Sequence, residues 1–186
     1  CADFTRYFCL PVPKRAATHA AVYFPGSTIG NFLPGQAAGL LRRIAFLCGK
    51  DGGLLIGIDL KKEPARIEAA YNDRLGVTAQ FNLNLLCRIN RELDADFDLS
   101  RFSHRACYNR ELGRIEMYLA SSEAQTVAIG GERIEFAAGE TICTEYSHKY
   151  TVDEFAAIAA AAGLELHKAW TDEKRNVAVL HFAVAD

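Results

Sequence analysis

The sequence predicts an α/β fold, a doubly wound domain interrupted by an inserted α+β region, and three observations predict it. Two apolar runs, residues 20–24 and 52–59, lack polar alternation and so have the composition of strands covered on both faces. Between them Ala37, Leu40, Leu41, Ile44, Phe46 and Leu47 recur at helical spacing, and strand, helix, strand in that order implies a parallel sheet. After a long stretch of different texture, the final residues return to helix and strand.

Each element has a local reason. The first strand stops at Pro25-Gly26, a turn signal, and Gly49 supplies a stop for the helix that follows. Residues 64–71 and 77–93 carry helical periodicity. Short strands are then expected at 104–108, 114–120, 125–129, 132–136 and 141–146, as an antiparallel meander with Gly130-Gly131 as a two-residue hairpin turn. Thr151 and Glu154 have capping-box spacing before an Ala-rich helix that Gly163 ends. Strands at 164–170 and 176–184 are separated by a short polar link, as antiparallel neighbours commonly are. The domains expected are therefore 1–63 and 149–186 as one α/β core, with 64–148 inserted.

Composition narrows the function. The 186 residues are half hydrophobic, enough for one ordinary domain or one with a large insertion. With 21 Lys plus Arg against 23 Asp plus Glu, the net charge of −2 provides no field to collect nucleic acid or an anionic membrane, so a small-molecule or protein partner is expected. No stretch approaches the roughly 20 apolar residues of a membrane span. The six cysteines (Cys1, Cys9, Cys48, Cys87, Cys107, Cys143) form no C-x-x-C pair and sit mostly in apolar runs, which reads as reduced, mostly buried thiols in a cytoplasmic protein. The histidines do not cluster at metal-ligand spacing, so no metal is assigned, and no nucleophile-elbow or Walker string supports acyl or phosphoryl transfer.

In an open α/β sheet, ligands bind beyond the carboxyl ends of the strands, which is where FPGSTIGNF follows the first strand. Its glycines allow close backbone approach, while Ser27, Thr28 and Asn31 supply donors and acceptors. Alone, such a string is ordinarily a turn and a helix start. Glu145 and Ser147 lie two apart on an expected strand and so share a face with Thr141 and Cys143, whereas Ile142, Thr144, Tyr146 and His148 take the other. A carboxylate with a hydroxyl can satisfy one donor and one acceptor nitrogen of an imidazole, although an unassigned Glu-x-Ser on a strand is ordinarily a solvated face.

The strings PGSTIGNF, GIDLKKEPARIEAAYND, GVTAQFNLNLLCRINREL and ICTEYSHKYT, in this order and over nearly the whole chain, resemble the histidine-specific Nα-methyltransferases that form hercynine in ergothioneine biosynthesis. The resemblance implies the C-terminal part of a class I, Rossmann-like methyltransferase fold using S-adenosyl-L-methionine, with residues 64–148 as the substrate-recognition insertion. It implies that Asp3 and Phe4 hold the adenine of the cofactor, with Gly26 and Ser27 also at cofactor-contacting positions. Gly26 and Asn31 match the loop facing the amino and carboxylate groups of the substrate histidine, Tyr71 a tyrosine meeting that carboxylate, and Thr78 a neighbour of the imidazole pocket. Glu145 and Ser147 match the pair that recognises the ring. The implied reaction is in-line attack of a neutral α-amino nitrogen on the sulfonium methyl, repeated to three methyls, where positioning can contribute about 7 to 11 kcal/mol. The alternatives are methylation of another amino acid or small amine, and a non-catalytic binding module.

The resemblance also implies an upstream strand with a glycine-rich turn, a ribose-binding acid and an N-terminal helical region, none of which this sequence contains. The chain is thus expected to be inactive alone, with an exposed strand edge that seeks the missing N-terminal part or a second copy. Calorimetric titration should show weak or no binding of S-adenosylmethionine or S-adenosylhomocysteine to the isolated chain, and micromolar affinity would show the missing strands to be misassigned.

Overall fold

In the computed structural model, which describes residues 1–6, 13–15 and 17–185, the two apolar runs pair as parallel strands β1 (Ala21–Phe24) and β2 (Gly53–Asp59) joined by helix α1 (Pro34–Cys48). Proline at the first turn of α1 costs no helical hydrogen bond, and Gly49 ends the helix at φ 66°. The sheet continues with β9 (Val177–Val184) and β8 (Leu164–Thr171) in the order β1-β2-β9-β8, with β9 antiparallel to both neighbours. Helix α4 (Val152–Ala160) precedes β8 and starts with the expected capping box: Thr151 Oγ1 accepts from Glu154 N at 3.1 Å, and Glu154 Oε2 accepts from Thr151 N at 2.8 Å. Leu54, Ile56 and Ile58 of β2, Leu180 and Phe182 of β9, and Phe155 of α4 are buried together with the inner face of α1. Deleting a fully buried Phe side chain such as Phe155 costs about 3 to 5 kcal/mol. These elements form one unit, residues 1–61 with 149–186; residues 62–148 form the other.

The second unit holds α2 (Pro64–Tyr71), α3 (Val77–Leu93) and an antiparallel sheet of β3 (Phe102–Asn109), β4 (Arg114–Ser121) and β7 (Thr141–His148), in the order β3-β4-β7. The expected meander is interrupted. After β4 the chain forms a separate hairpin, β5 (Gln125–Ile129) and β6 (Glu132–Phe136), and only then returns to pair β7 with β4. Gly130 and Gly131 turn the hairpin with φ 54° and 91°, a conformation that favours glycine at both positions. Phe97, Phe102 and Phe136 meet at ring separations of 5.6 to 6.2 Å in one apolar cluster, and Ile67, Ala106, Ile115 and Met117 form another.

Three expectations are corrected. Register in the β4–β7 pair runs Met117↔Glu145 and then Tyr118↔Cys143, so Thr144 is the extra residue of a β-bulge. Its hydroxyl donates to the Met117 carbonyl at 3.1 Å. Side-chain alternation restarts across the bulge, so Ile142, opposite buried Leu119, shares a face with Glu145 and Ser147, whereas Thr141 and Cys143 do not. The thiols are also less buried than their apolar neighbours suggest: Cys48 is buried, but Cys1, Cys87 and Cys143 are exposed and Cys107 is half-buried, while Cys9 lies outside the described residues. Finally, Phe46 points outward, 82% exposed, because Ile44 and Ala45 take the buried face of α1 at that turn. Among the described residues no helix is long and apolar enough to cross a membrane.

Burial pushes the Cys48 thiol pKa up, and its Sγ donates to the Gly53 carbonyl at 3.1 Å. A thiol reagent at neutral pH should therefore modify Cys87 and Cys143 in the native protein and Cys48 only after unfolding, as read by peptide mass mapping. Protection of Cys143 would mean that β7 lacks the bulge.

Candidate functional site

Two loops, two helix ends and one sheet face carry the residues singled out above. In the first unit, the chain leaves β1 through Gly26 and Ser27, both left-handed at φ 76° and 57°, and enters a 3-10 turn at Thr28–Asn31. Left-handed backbone at a serine costs about 1 to 2 kcal/mol. The offset is visible: Ser27 Oγ accepts from the backbone N–H of Asp59 at 2.8 Å, which ties the loop to the carboxyl end of β2. A side chain at Gly57 would approach the Gly26 nitrogen to 3.3 Å, so the loop lies close over β2. Gly26 and Asn31 are exposed beyond the strand ends.

Asp59 is held in turn. Its carboxylate pairs with Lys149 Nζ at 2.8 Å, and the Lys149 side chain is only 1% exposed. Breaking a buried pair of this kind by removing one partner costs about 3 to 5 kcal/mol, because the other charge is stranded. Lys149 directly follows β7, and Tyr150 N donates to the Asp59 carbonyl at 3.2 Å. Asp3 and Phe4 lie in the same unit. The Asp3 carboxylate accepts from the hydroxyl and the N–H of Thr5 at 2.6 and 2.9 Å, and these bonds, the hydroxyl's first, hold its pKa below the ordinary value. The Phe4 ring meets Phe24 edge-on at 5.4 Å and borders an apolar cavity of about 110 Å³ that Val22, Leu40 and Ile44 also line.

In the second unit the structure brings Tyr71 and Ser147 together: the Tyr71 hydroxyl donates to Ser147 Oγ at 3.0 Å. Ser147 sits opposite Ile115 and Glu145 opposite Met117, and the Tyr71 ring packs on the cluster that contains Ile115 and Met117. Glu145 and Ser147 are thus polar groups on the sheet face that carries Ile115, Met117 and Leu119. On the other face Arg114 pairs with Glu116 at 2.7 Å, Tyr118 donates to Glu116 at 2.6 Å, and the Arg114 guanidinium lies 3.8 Å over the Tyr146 ring.

Residues the sequence reading passed over hold this arrangement. β3 is an edge strand, and its outward groups at Ala106 are both taken by the Asn72 amide, which donates to the Ala106 carbonyl at 2.9 Å and accepts from its N–H at 3.2 Å. Glu68 accepts from Tyr108 N at 2.9 Å, and His104 Nε2 lies 2.9 Å from the Tyr71 carbonyl. Asn82, buried within α3, reaches His104 Nδ1 at 3.0 Å and the Tyr118 carbonyl at 3.1 Å. An asparagine at the buried spacing of Leu86 and Ile89 was the available signal for it. Nothing in the sequence distinguished Lys149. Thr78 lies in the first turn of α3, where its backbone N–H donates to Asp73 at 2.8 Å.

A family model described as histidine-specific, S-adenosylmethionine-dependent methyltransferase matches residues 1–184. The chain is 43% identical over 175 residues to a histidine N-alpha-methyltransferase of Mycobacterium tuberculosis, covering 93% of the chain and 54% of that protein. It is 32% identical over 165 residues to ergothioneine biosynthesis protein 1 of Neurospora crassa, covering 87% of the chain and 18% of that protein. An L-tryptophan methyltransferase of Psilocybe serbica is 31% identical over 165 residues, with 86% and 45% covered. The chain spans about half the length of the mycobacterial relative, and less of the other two.

Asp73 provides a test of the α3 start. Its carboxylate accepts from Thr78 N and from Val77 N at 3.0 Å, and these backbone bonds bring its pKa down to about 2. A depressed carboxylate stabilises the fold above its unfolded value of about 3.9 and loses that contribution as pH falls towards the folded value. Asp73→Ala should therefore lower the thermal midpoint at pH 7, with the difference from wild type shrinking steadily between pH values of about 4 and 2. A difference independent of pH would remove the charged cap.

Proposed function

The chain belongs to the histidine-specific, S-adenosylmethionine-dependent methyltransferase family, and from that premise we propose that its parent protein methylates the α-amino group of L-histidine to give trimethylated histidine, hercynine, in ergothioneine biosynthesis. The fold is consistent with the family, a class I methyltransferase core whose last strand runs antiparallel to its neighbours. In this reading residues 62–148 are the substrate-recognition unit, and residues 1–61 with 149–186 belong to the cofactor-binding core.

The observation that carries the proposal is the Tyr71–Ser147 hydrogen bond beside Glu145 on one face of the second unit's sheet. Imidazole presents one donor and one acceptor nitrogen, and a carboxylate with a hydroxyl complements both. Indole has a donor alone, so the same pair would leave a group unmatched against tryptophan, the substrate named for the Psilocybe relative. Within the second unit Tyr71 then meets the carboxylate of histidine, and Thr78 borders the ring. Their role is to fix the amine in line, and no side chain is needed as nucleophile.

The residues present suit the adenosyl end of the cofactor. The Asp3 carboxylate, half-exposed, can accept from an adenine amino group beside the Phe4 ring and its apolar cavity, and the glycine and serine of the first loop expose backbone at the strand ends. When bound, S-adenosylmethionine supplies the electrophilic methyl. The substrate is a free amino acid, and the net charge of −2 does not favour nucleic acid.

Combining Glu145→Ala and Ser147→Ala in the full-length polypeptide should strand ring nitrogens of histidine at about 1 to 3 kcal/mol for each lost partner. Calorimetry should then report at least tenfold weaker histidine binding with S-adenosylhomocysteine affinity kept. Unchanged histidine binding would move the substrate to another amine.

A further inference from the structure

We propose that His104 is a positioning residue of the histidine-binding site, acting through Tyr71; this rests on the reading of Tyr71 and Ser147 as substrate-binding residues. A tyrosine hydroxyl stands at the end of a long side chain, so its place depends on the backbone that carries it. Tyr71 is the last residue of α2, where helix carbonyls lack intrahelical partners. The Glu68 carbonyl is satisfied by Asn72 through both its backbone N–H and its side-chain amide, at 2.8 and 3.0 Å. The Tyr71 carbonyl instead meets the imidazole of His104, which projects from the edge strand β3.

The proton on that imidazole is assigned by its surroundings. Asn82 Nδ2 lies 3.1 Å from the Tyr118 carbonyl, which can only accept, so this end of the amide is the NH₂ donor. The same NH₂ faces His104 Nδ1, so Nδ1 must accept. The ring proton therefore sits on Nε2 and is donated to the Tyr71 carbonyl. A chain of directed bonds results: Tyr118 carbonyl, Asn82, His104, Tyr71 carbonyl. It anchors the end of α2 to β4 and to the buried side of α3. Three further bonds from the end of α2 to the β3 edge, two by Asn72 and one by Glu68, act on other residues, whereas His104 grips the residue whose hydroxyl reaches Ser147.

Supporting a ligand-contacting side chain by fixing its backbone differs from merely closing a helix end, and the two separate in a coupling experiment. Histidine and S-adenosylhomocysteine affinities are measured by calorimetry on the full-length polypeptide for wild type, His104→Leu, His104→Gln, Tyr71→Phe and the double variant His104→Leu/Tyr71→Phe. His104→Leu should weaken histidine binding about tenfold and leave S-adenosylhomocysteine within twofold, in line with loss of one directed bond to a binding residue. His104→Gln, which retains an N–H near the ε position, should recover most of the loss. The double variant should be no weaker than Tyr71→Phe by more than about twofold, because the second substitution acts through a hydroxyl already absent. Additive losses, or equal weakening of both ligands that glutamine does not rescue, would reduce His104 to a fold-stabilising cap and overturn the proposal. If Tyr71→Phe binds histidine as wild type does, the site reading itself fails and takes this inference with it; if Tyr71→Phe is weak and His104→Leu is not, only the role of His104 fails. Where His104→Leu does not fold, His104→Asn, which keeps a partner for Asn82 but cannot reach Tyr71, carries the same expectation.

Discussion

The carboxyl end of β2 is held at Asp59 by three bonds of different kinds, and the first unit's candidate loop depends on them. The backbone N–H is given to Ser27 Oγ, the carbonyl takes the N–H of Tyr150, and the carboxylate pairs with the enclosed Lys149 ammonium. The bonds fetch two separate parts of the chain: the loop after β1, through Ser27, and the segment that re-enters after β7, through Lys149 and Tyr150. Because Ser27 and Gly26 occupy left-handed backbone, the loop would relax without its anchor, and the exposed positions at Gly26 and Asn31 would lose their definition. A buried ion pair is weak as a source of net stability and strong as a specifier of register, since a misplaced chain leaves a buried charge unmatched.

The second unit solves a related problem with neutral groups. Its sheet has to bury Ile142 against Leu119 and, three residues later, present Glu145 on the same face. A regular strand cannot do this, because odd separations reverse the face. The bulge at Thr144 absorbs the odd residue and is tied down by its own hydroxyl. The edge of β3 is treated with the same economy of means. Side chains of Glu68 and Asn72 take the place of a neighbouring strand, which closes an aggregation-prone edge and docks α2 in one step.

These two devices leave the polar groups of the candidate site on rigid elements. Tyr71 ends a helix, Ser147 and Glu145 lie on a strand, and Thr78 opens a helix with a carboxylate cap beneath it. Positioning of this kind suits a reaction whose difficulty is alignment more than acid–base chemistry. The charge cluster of Arg114, Glu116 and Tyr118 faces away from these groups, since residues 114, 116 and 118 alternate with the inward Ile115, Met117 and Leu119.

How much was legible follows from the range of each interaction. Helices Pro64–Tyr71 and Val77–Leu93, the Thr151–Glu154 cap and the Gly130-Gly131 turn depend on neighbours within a few residues, so periodicity and turn chemistry determined them, and the parallel pair followed from the order strand, helix, strand. The strings that resemble a known family supplied candidate residues, including Tyr71 and Ser147, without saying that one would bond the other across 76 positions. Pairing register was beyond the sequence: nothing local marks Thr144 as surplus, because a bulge is a property of two strands and only β4 reveals it. The same holds for Lys149, His104 and Asn82, whose partners lie between 22 and 90 residues away. Local sequence determined which elements form; which polar groups meet was decided by tertiary structure, because a buried donor or acceptor is satisfied by whatever the fold brings within hydrogen-bond reach.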